Sequence, residues 1–83
     1  MTSATAHATR RIRERVGKQA ARQAVEFFEY LWKRGRPANR GDFNRFNAQL
    51  HDYHQYRVCV CKAGVFLVAY DAKRERFLTL WKL

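Results

Sequence analysis

The sequence predicts an α+β fold, in which two N-terminal helices, the first of them long, precede a three-stranded antiparallel β-meander. Two observations support this prediction. Apolar residues recur at intervals of three and four positions through the first part of the chain, as they do on one face of a helix. From Gln55 onward, β-branched and aromatic residues form short runs separated by polar turns, as they do in strands. The 83 residues suffice for one domain, so we expect a single α+β domain over residues 9–83 and a disordered polar tail over residues 1–8.

The first predicted helix runs from about Thr9 to Arg34. Gly17 lies inside it and indicates a bend, because glycine is a weak helix former. The helix is expected to end before Pro37, with Gly35 as its C-cap. Its apolar face consists of Ile12, Val16, Ala20, Ala24, Phe27 and Leu31.

The second predicted helix runs from about Arg40 to Tyr53. Either Asn39 or Asp42 can cap its N-terminus, because a short polar side chain can accept a hydrogen bond from the free backbone amides there. Its apolar residues follow at helical spacing, and they are Phe43, Phe46, Leu50 and Tyr53.

Three strands are predicted over residues 55–61, 65–70 and 76–83, with short turns between them that make neighbouring strands antiparallel. Both faces of this sheet carry large apolar side chains, with Val65 and Leu67 on one side of the central strand and Phe66 and Val68 on the other. The two helices can cover one face and part of the second. An uncovered apolar face favours a bound partner or a homodimer formed through the sheet.

The charge of the chain predicts an anionic partner. Seventeen Lys and Arg residues against seven Asp and Glu residues give a formal net charge of +10. Arginine outnumbers lysine, and its planar guanidinium group suits phosphate recognition. We therefore predict a small basic nucleic-acid-binding protein that is not an enzyme and has DNA or RNA as its partner.

Two clusters of basic residues are the predicted contacts with phosphate. Positions 11, 15, 18 and 22 form a stripe on the first helix, nearly opposite its apolar face, and Arg10 and Arg13 add charge on its flanks. The second cluster spans the loop between the helices and the start of the second helix, where loop amides and arginines together suit an anion. The predicted binding residues are Arg10, Arg11, Arg15, Lys18, Arg22, Arg34, Arg36, Arg40 and Arg45.

Two other functions remain open. The apolar sheet face also suits a small interaction or inhibitor protein of the phage or plasmid type, which binds an acidic host protein or a nucleoprotein complex. In architecture the predicted fold resembles the ribosome-dependent ribonuclease toxins, which use basic, histidine and tyrosine side chains on an antiparallel sheet. Residues of these types occur here at His54, Arg57, Lys62, Tyr70 and Arg74.

The histidines and cysteines do not have the spacing of a zinc site. Cys59 and Cys61 are two apart in a strand, whereas structural zinc ligands favour pairs in loops, and His51 and His54 complete no such pattern. We predict no metal, no cofactor and no catalytic residue. Two cysteines are too few for a secreted disulfide scaffold, and no apolar run is long enough to span a membrane. We therefore expect a cytoplasmic or nucleoid-associated protein without a membrane partner.

Overall fold

A computed structural model describes residues 2–83 of the chain. Five strands form one mixed sheet in the order β1-β5-β4-β3-β2, and four helices are interleaved with them along the chain. The elements are β1 (Ser3–Ala4), α1 (Ala6–Arg15), α2 (Lys18–Arg22), α3 (Ala24–Arg34), β2 (Arg36–Pro37), α4 (Arg40–Phe46), β3 (Gln55–Cys61), β4 (Gly64–Asp71) and β5 (Arg76–Lys82).

The prediction of two helices followed by a three-stranded meander was wrong, although the fold is α+β. Strand β1 lies in the segment predicted to be a tail, and it pairs parallel with β5, with Ser3 opposite Arg76. Strand β2 lies in the loop after α3 and pairs antiparallel with β3, with Arg36 opposite Val58. A strand of two residues is too short to show the alternation of apolar and polar residues that predicts a strand. β1 and β2 are strands only because they pair with the edges of β5 and β3.

The predicted first helix is broken into α1, α2 and α3. Gly17 separates α1 from α2. Its backbone, at φ 142° and ψ 170°, adopts a conformation that glycine reaches without steric cost and other residues rarely adopt. Gln23, at φ −120° and ψ 48°, separates α2 from α3, and no helix-breaking residue type indicates this second break. Within residues 2–83, no helix has the length and apolar character needed to cross a bilayer.

Helix α4 is half as long as predicted. It ends at Phe46 because Asn47 adopts the left-handed conformation, at φ 53°, and the backbone amide of Ala48 then donates to the carbonyl oxygen of Phe43. This arrangement is a common helix terminus. Leu50 and Tyr53, which extended the predicted periodicity, therefore lie outside the helix and are 54% and 75% exposed.

Helices α1, α2 and α3 cover one face of the sheet. Phe28 of α3 is completely buried there and stacks on Phe77 of β5, with ring centroids 4.9 Å apart. The end of α3 approaches β3 so closely that a Cβ atom at Gly35 would lie 3.1 Å from the Val58 carbonyl oxygen, which explains the glycine at this position. The other buried side chains of this core include Ala8, Ile12, Ala21, Leu31, Cys59, Phe66, Val68 and Leu80.

The second face of the sheet is covered only in part, by α4. Phe43 and Phe46 pack there against a group that includes Tyr56 and Leu67. The pairing of β4 with β5 shifts by one residue between Ala69 and Tyr70, so Leu78 of β5 is an extra residue without a partner in β4. This β-bulge interrupts the regular alternation of side chains between the two faces of the sheet. As a result Phe77 and Leu80 both face the helices, while Leu78 and Trp81 both pack on the second face. Val60, on β3, remains 74% exposed.

Candidate functional site

The break at Gly17 brings together basic side chains that a continuous helix would separate. Arg13, Lys18 and Arg22 line one open cleft of about 250 Å³, together with Ala21. Arg13 and Arg22 are nine positions apart and would lie on opposite faces of a straight helix with 3.6 residues per turn. No carboxylate lines this cleft, so its cations face one another without a counter-charge from the described part of the chain.

Three further cations extend this cleft toward the turn between β3 and β4. The ammonium group of Lys82 lies 3.4 Å from the carbonyl oxygen of Arg15 and 6.0 Å from the centroid of the Phe66 ring. The Nε atom of Arg15 is buried and has no hydrogen-bond partner among the described residues. Lys62, in the turn, lines a groove together with Gln23, the residue that follows α2. We define the hairpin-end surface as Arg13, Arg15, Lys18, Arg22, Lys62 and Lys82.

The two predicted site residues at the start of the stripe have other neighbours. Arg10 lies 3.4 Å from Nδ1 of His7, and Nε of Arg11 donates to Nε2 of the same ring at 3.4 Å. The Arg11 guanidinium also lies 3.6 Å from the carboxylate of Glu14. Arg11 is therefore paired within α1, whereas Arg13 lines the cleft together with Lys18 and Arg22.

Arg36, predicted to bind phosphate, is held by a carboxylate of the protein itself. Its guanidinium donates to both oxygens of Asp42, at 2.8 and 3.0 Å. The same carboxylate accepts from the backbone amide of Asn39, and the Asn39 side chain accepts from the backbone amide of Asp42, which completes a capping box. The hydrogen bonds from Arg36 and from the Asn39 amide lower the pKa of Asp42 to about 2. This geometry assigns Arg36 to the stabilisation of α4 and leaves the N-terminus of that helix occupied.

We expect the charge on Asp42 to stabilise the fold above pH 4 and to lose this effect as the pH falls. The carboxyl has a lower pKa in the folded chain than its ordinary value of about 3.9, so protonation between about pH 5 and pH 2 favours unfolding. Arg36 is 55% exposed, so water screens the pair, and Asp42→Asn should cost about 1–2 kcal/mol at neutral pH. Urea unfolding of wild type and variant at a series of pH values measures this cost.

Asp52→Asn is the matched control for that experiment, because Asp52 is exposed and its replacement changes the net charge equally. The stability difference between wild type and Asp42→Asn should shrink toward pH 2, whereas Asp52→Asn should follow wild type throughout. A constant difference across that pH range would contradict the assignment.

The remaining predicted residues, Arg34, Arg40 and Arg45, do not line the cleft of Arg13, Lys18 and Arg22. Arg34 stacks on the Tyr30 ring, with its guanidinium carbon 4.0 Å from the centroid. Arg34 is the last residue of α3, and this helix of eleven residues, about 16 Å long at a rise of 1.5 Å per residue, separates it from Arg22 of α2. Arg40 and Arg45 are exposed on α4, which lies against the second face of the sheet.

Among the residues that correspond in type to those of ribonuclease toxins, Arg57 and Tyr70 both contact Trp32, and the others have different neighbours. Arg57 donates to the carbonyl oxygen of Trp32 at 2.8 Å and stacks on the ring of that residue, so it fixes the end of α3. Arg74 pairs with Asp71. Tyr70 packs against the rings of Trp32 and Phe77 on the helix face. Lys62 belongs to the hairpin-end surface, and His54 contacts Tyr53 and Tyr56.

The histidines and cysteines lie in different surroundings. Cys59 is buried among apolar side chains of the helix face, and this burial raises the pKa of its thiol. His51 and His54 belong to an exposed loop, with ring centroids 5.7 Å apart. Among residues 2–83, no three His, Cys, Asp or Glu side chains come together in a way that could hold a metal ion.

Lys18, Arg22 and Arg15 were among the residues predicted from the sequence to bind phosphate, and the other half of the hairpin-end surface was not. Lys62 and Lys82 approach α2 and α1 only because β3, β4 and β5 fold beneath these helices, and no spacing in the sequence records that contact. The bend predicted at Gly17 is the local signal that could have added Arg13 to the predicted binding residues, because the bend brings Arg13 of α1 to the same cleft as α2.

The chemistry available on this surface is anion binding. Arginine supplies a fork of N–H donors and lysine a mobile ammonium group, and both suit phosphate oxygens. Arg13, Lys18, Arg22 and Lys62 are exposed, so a large anion can reach them without a conformational change. Comparisons of the chain with protein-family models, with curated proteins and with solved structures find no match.

Proposed function

We propose that this chain is a non-enzymatic nucleic-acid-binding protein that contacts phosphates through the hairpin-end surface. The observation that carries the proposal is the open cleft that Arg13, Lys18 and Arg22 line, to which residues 2–83 contribute no acidic side chain. Solvated helix faces usually mix charges of both signs, because i,i+4 pairs of opposite charge stabilise a helix. Within residues 2–83, the ion pairs at Arg11, Arg36 and Arg74 lie outside the cleft.

A polyanion suits this surface better than a single small anion. The cations are distributed over α1, α2, the β3–β4 turn and the end of β5, and their side chains are mostly exposed. Exposed cations of this kind bind a small anion weakly, since water and salt screen each pair. A nucleic acid presents regularly spaced phosphates, and each neutralised phosphate releases condensed counterions, so many weak contacts add up to measurable affinity.

Binding to a duplex should weaken steeply with salt. If the hairpin-end surface engages about four to six phosphates, a plot of log K against log salt concentration should have a slope of about −4 to −5. Affinity should then fall about 10²- to 10³-fold between about 50 and 200 mM salt. Fluorescence anisotropy of a labelled oligonucleotide, titrated with the protein at several salt concentrations, measures the slope.

Absence of binding at low salt, or binding with a slope near zero, would overturn the proposal. That result would favour the alternative of a protein partner, which the apolar side chains left exposed near the second sheet face support. Val60 is 74% exposed there and Leu83 is 50% exposed.

A further inference from the structure

A largely apolar groove lies next to the hairpin-end surface. It has a volume of about 380 Å³ and opens between α3 and the β3–β4 turn. Phe27 and Tyr30 form its aromatic wall, Cys61 lies on the strand side, and Gln23 and Lys62 stand at its polar rim. Such a concave, mostly apolar site with a few polar groups is the usual form of a ligand site.

Helix α2 joins the groove to the basic cleft. Ala20 and Gln23 line the groove, whereas Lys18 and Arg22 line the cleft. Helix α2 has only five residues and is therefore about 7 Å long at a rise of 1.5 Å per residue. Lys62 lines the groove and belongs to the hairpin-end surface, so a polyanion whose phosphates lie on Lys18, Arg22 and Lys62 reaches the mouth of the groove.

The side chains of the groove match the chemistry of a nucleobase. Tyr30 is 40% exposed, and the guanidinium of Arg34 stacks on its ring at 4.0 Å and holds it in place. Phe27 is fixed by an edge-to-face contact with Phe66, with centroids 5.9 Å apart. Aromatic rings held in this way offer a surface for stacking a base. The Gln23 amide and the Glu26 carboxylate provide donors and acceptors for its polar edge.

We propose that the groove binds an unpaired nucleobase, so that the preferred ligand of this protein is single-stranded nucleic acid. This inference rests on the proposed function, since it takes the phosphates of the same strand to lie on the hairpin-end surface. A base within a duplex is stacked on its neighbours and paired along its edge, and it cannot enter the groove without being extruded. The cationic residues beside the groove, Lys62 and Arg22, complement the charge of this ligand.

Three labelled probes with equal numbers of phosphates separate the contribution of the bases from that of the charge. They are a single-stranded oligodeoxynucleotide, a strand of the same length without bases, and a duplex matched in phosphate number. We expect the strand with bases to bind more tightly than the other two at the same salt concentration. The variant Tyr30→Ala should weaken binding of that strand by about 5- to 150-fold, the range for loss of one base–aromatic contact.

The control variant is Tyr53→Ala, because Tyr53 is more exposed than Tyr30 and lies in the loop after α4, away from the groove. It should leave the affinity for all three probes unchanged, and Tyr30→Ala should not change the affinity for the strand without bases. An equal effect of both variants would contradict a specific role for the groove.

Cys61 provides a second readout. In the variant Cys59→Ala it is the only thiol of the chain, so its rate of alkylation reports directly on access to the groove. The single strand with bases should slow alkylation at saturation, and the strand without bases should not. Equal affinity for all three probes, with unprotected Cys61, would overturn this inference and leave the proposed function standing. Failure of every probe to bind would overturn both.

Discussion

The triple variant Arg13→Gln/Lys18→Gln/Arg22→Gln should lose most of its affinity for nucleic acid. Each of these side chains lines the same cleft, and none has an acidic partner there. Removing three phosphate contacts should reduce the magnitude of the salt slope by about 2 to 3 and lower the duplex affinity at about 0.1 M salt by about 10²- to 10³-fold. Wild-type and variant affinities should converge near 1 M salt, because the contacts removed are those that release counterions.

A second triple variant, Arg40→Gln/Arg45→Gln/Lys73→Gln, is the matched control. It lowers the formal net charge by the same three units from +10. Its three side chains are exposed on α4 and in the β4–β5 turn, at the opposite end of β4 from Lys62. The control should keep a slope close to that of wild type. If both triple variants lose affinity equally, the binding depends on total charge, and the hairpin-end surface has no special role.

The sequence predicted those parts of the fold that local periodicity determines. Strand β3 occupies the predicted residues, Gln55–Cys61, because alternation over seven residues is a strong local signal. The predicted continuous helix failed at Gln23, where the chain leaves helical geometry without glycine or proline. Ala21 of α2 and Phe28 of α3 are both buried in the core on the helix face of the sheet. Packing on the sheet overrides local helix propensity here, and no spacing in the sequence records it.

Local periodicity also explains why only part of the candidate site was predicted. Lys18 and Arg22 share a helix, so their spacing alone placed them together, and the structure keeps them together. The pairing of Arg36 with Asp42 was not predicted, because the two residues are six positions apart across a turn and helical periodicity does not describe that contact. Lys82 is 67 positions from Arg15 in sequence and 3.4 Å from it in space. Contacts of this kind follow from the order of the strands, which the sequence pattern did not predict.

Replacing Phe28 with alanine should have the largest effect on stability. The side chain is completely buried and stacks on Phe77, with their planes inclined by 8°. Truncating a buried phenylalanine costs about 3–5 kcal/mol, through lost transfer free energy and the cavity that remains. A domain of this size has a total free energy of unfolding of about 4–12 kcal/mol, so the variant should be largely or partly unfolded at 37 °C. Urea unfolding followed by circular dichroism measures the loss.

Tyr30→Ala provides the comparison on the same helix. It removes an aromatic side chain that is 40% exposed, and it should cost less than about 1 kcal/mol. Because Phe28 anchors α3, which follows directly after the α2 residues Lys18 and Arg22, its loss should also disorder the basic cleft and weaken nucleic-acid binding. Unfolding midpoints that fall equally in the two variants would show that α3 is not docked through Phe28. We expect a lower unfolding midpoint for Phe28→Ala alone, with Tyr30→Ala folded and binding the strand without bases as wild type does. That result would show that α3 stabilises the fold through Phe28 and contributes to the groove through Tyr30.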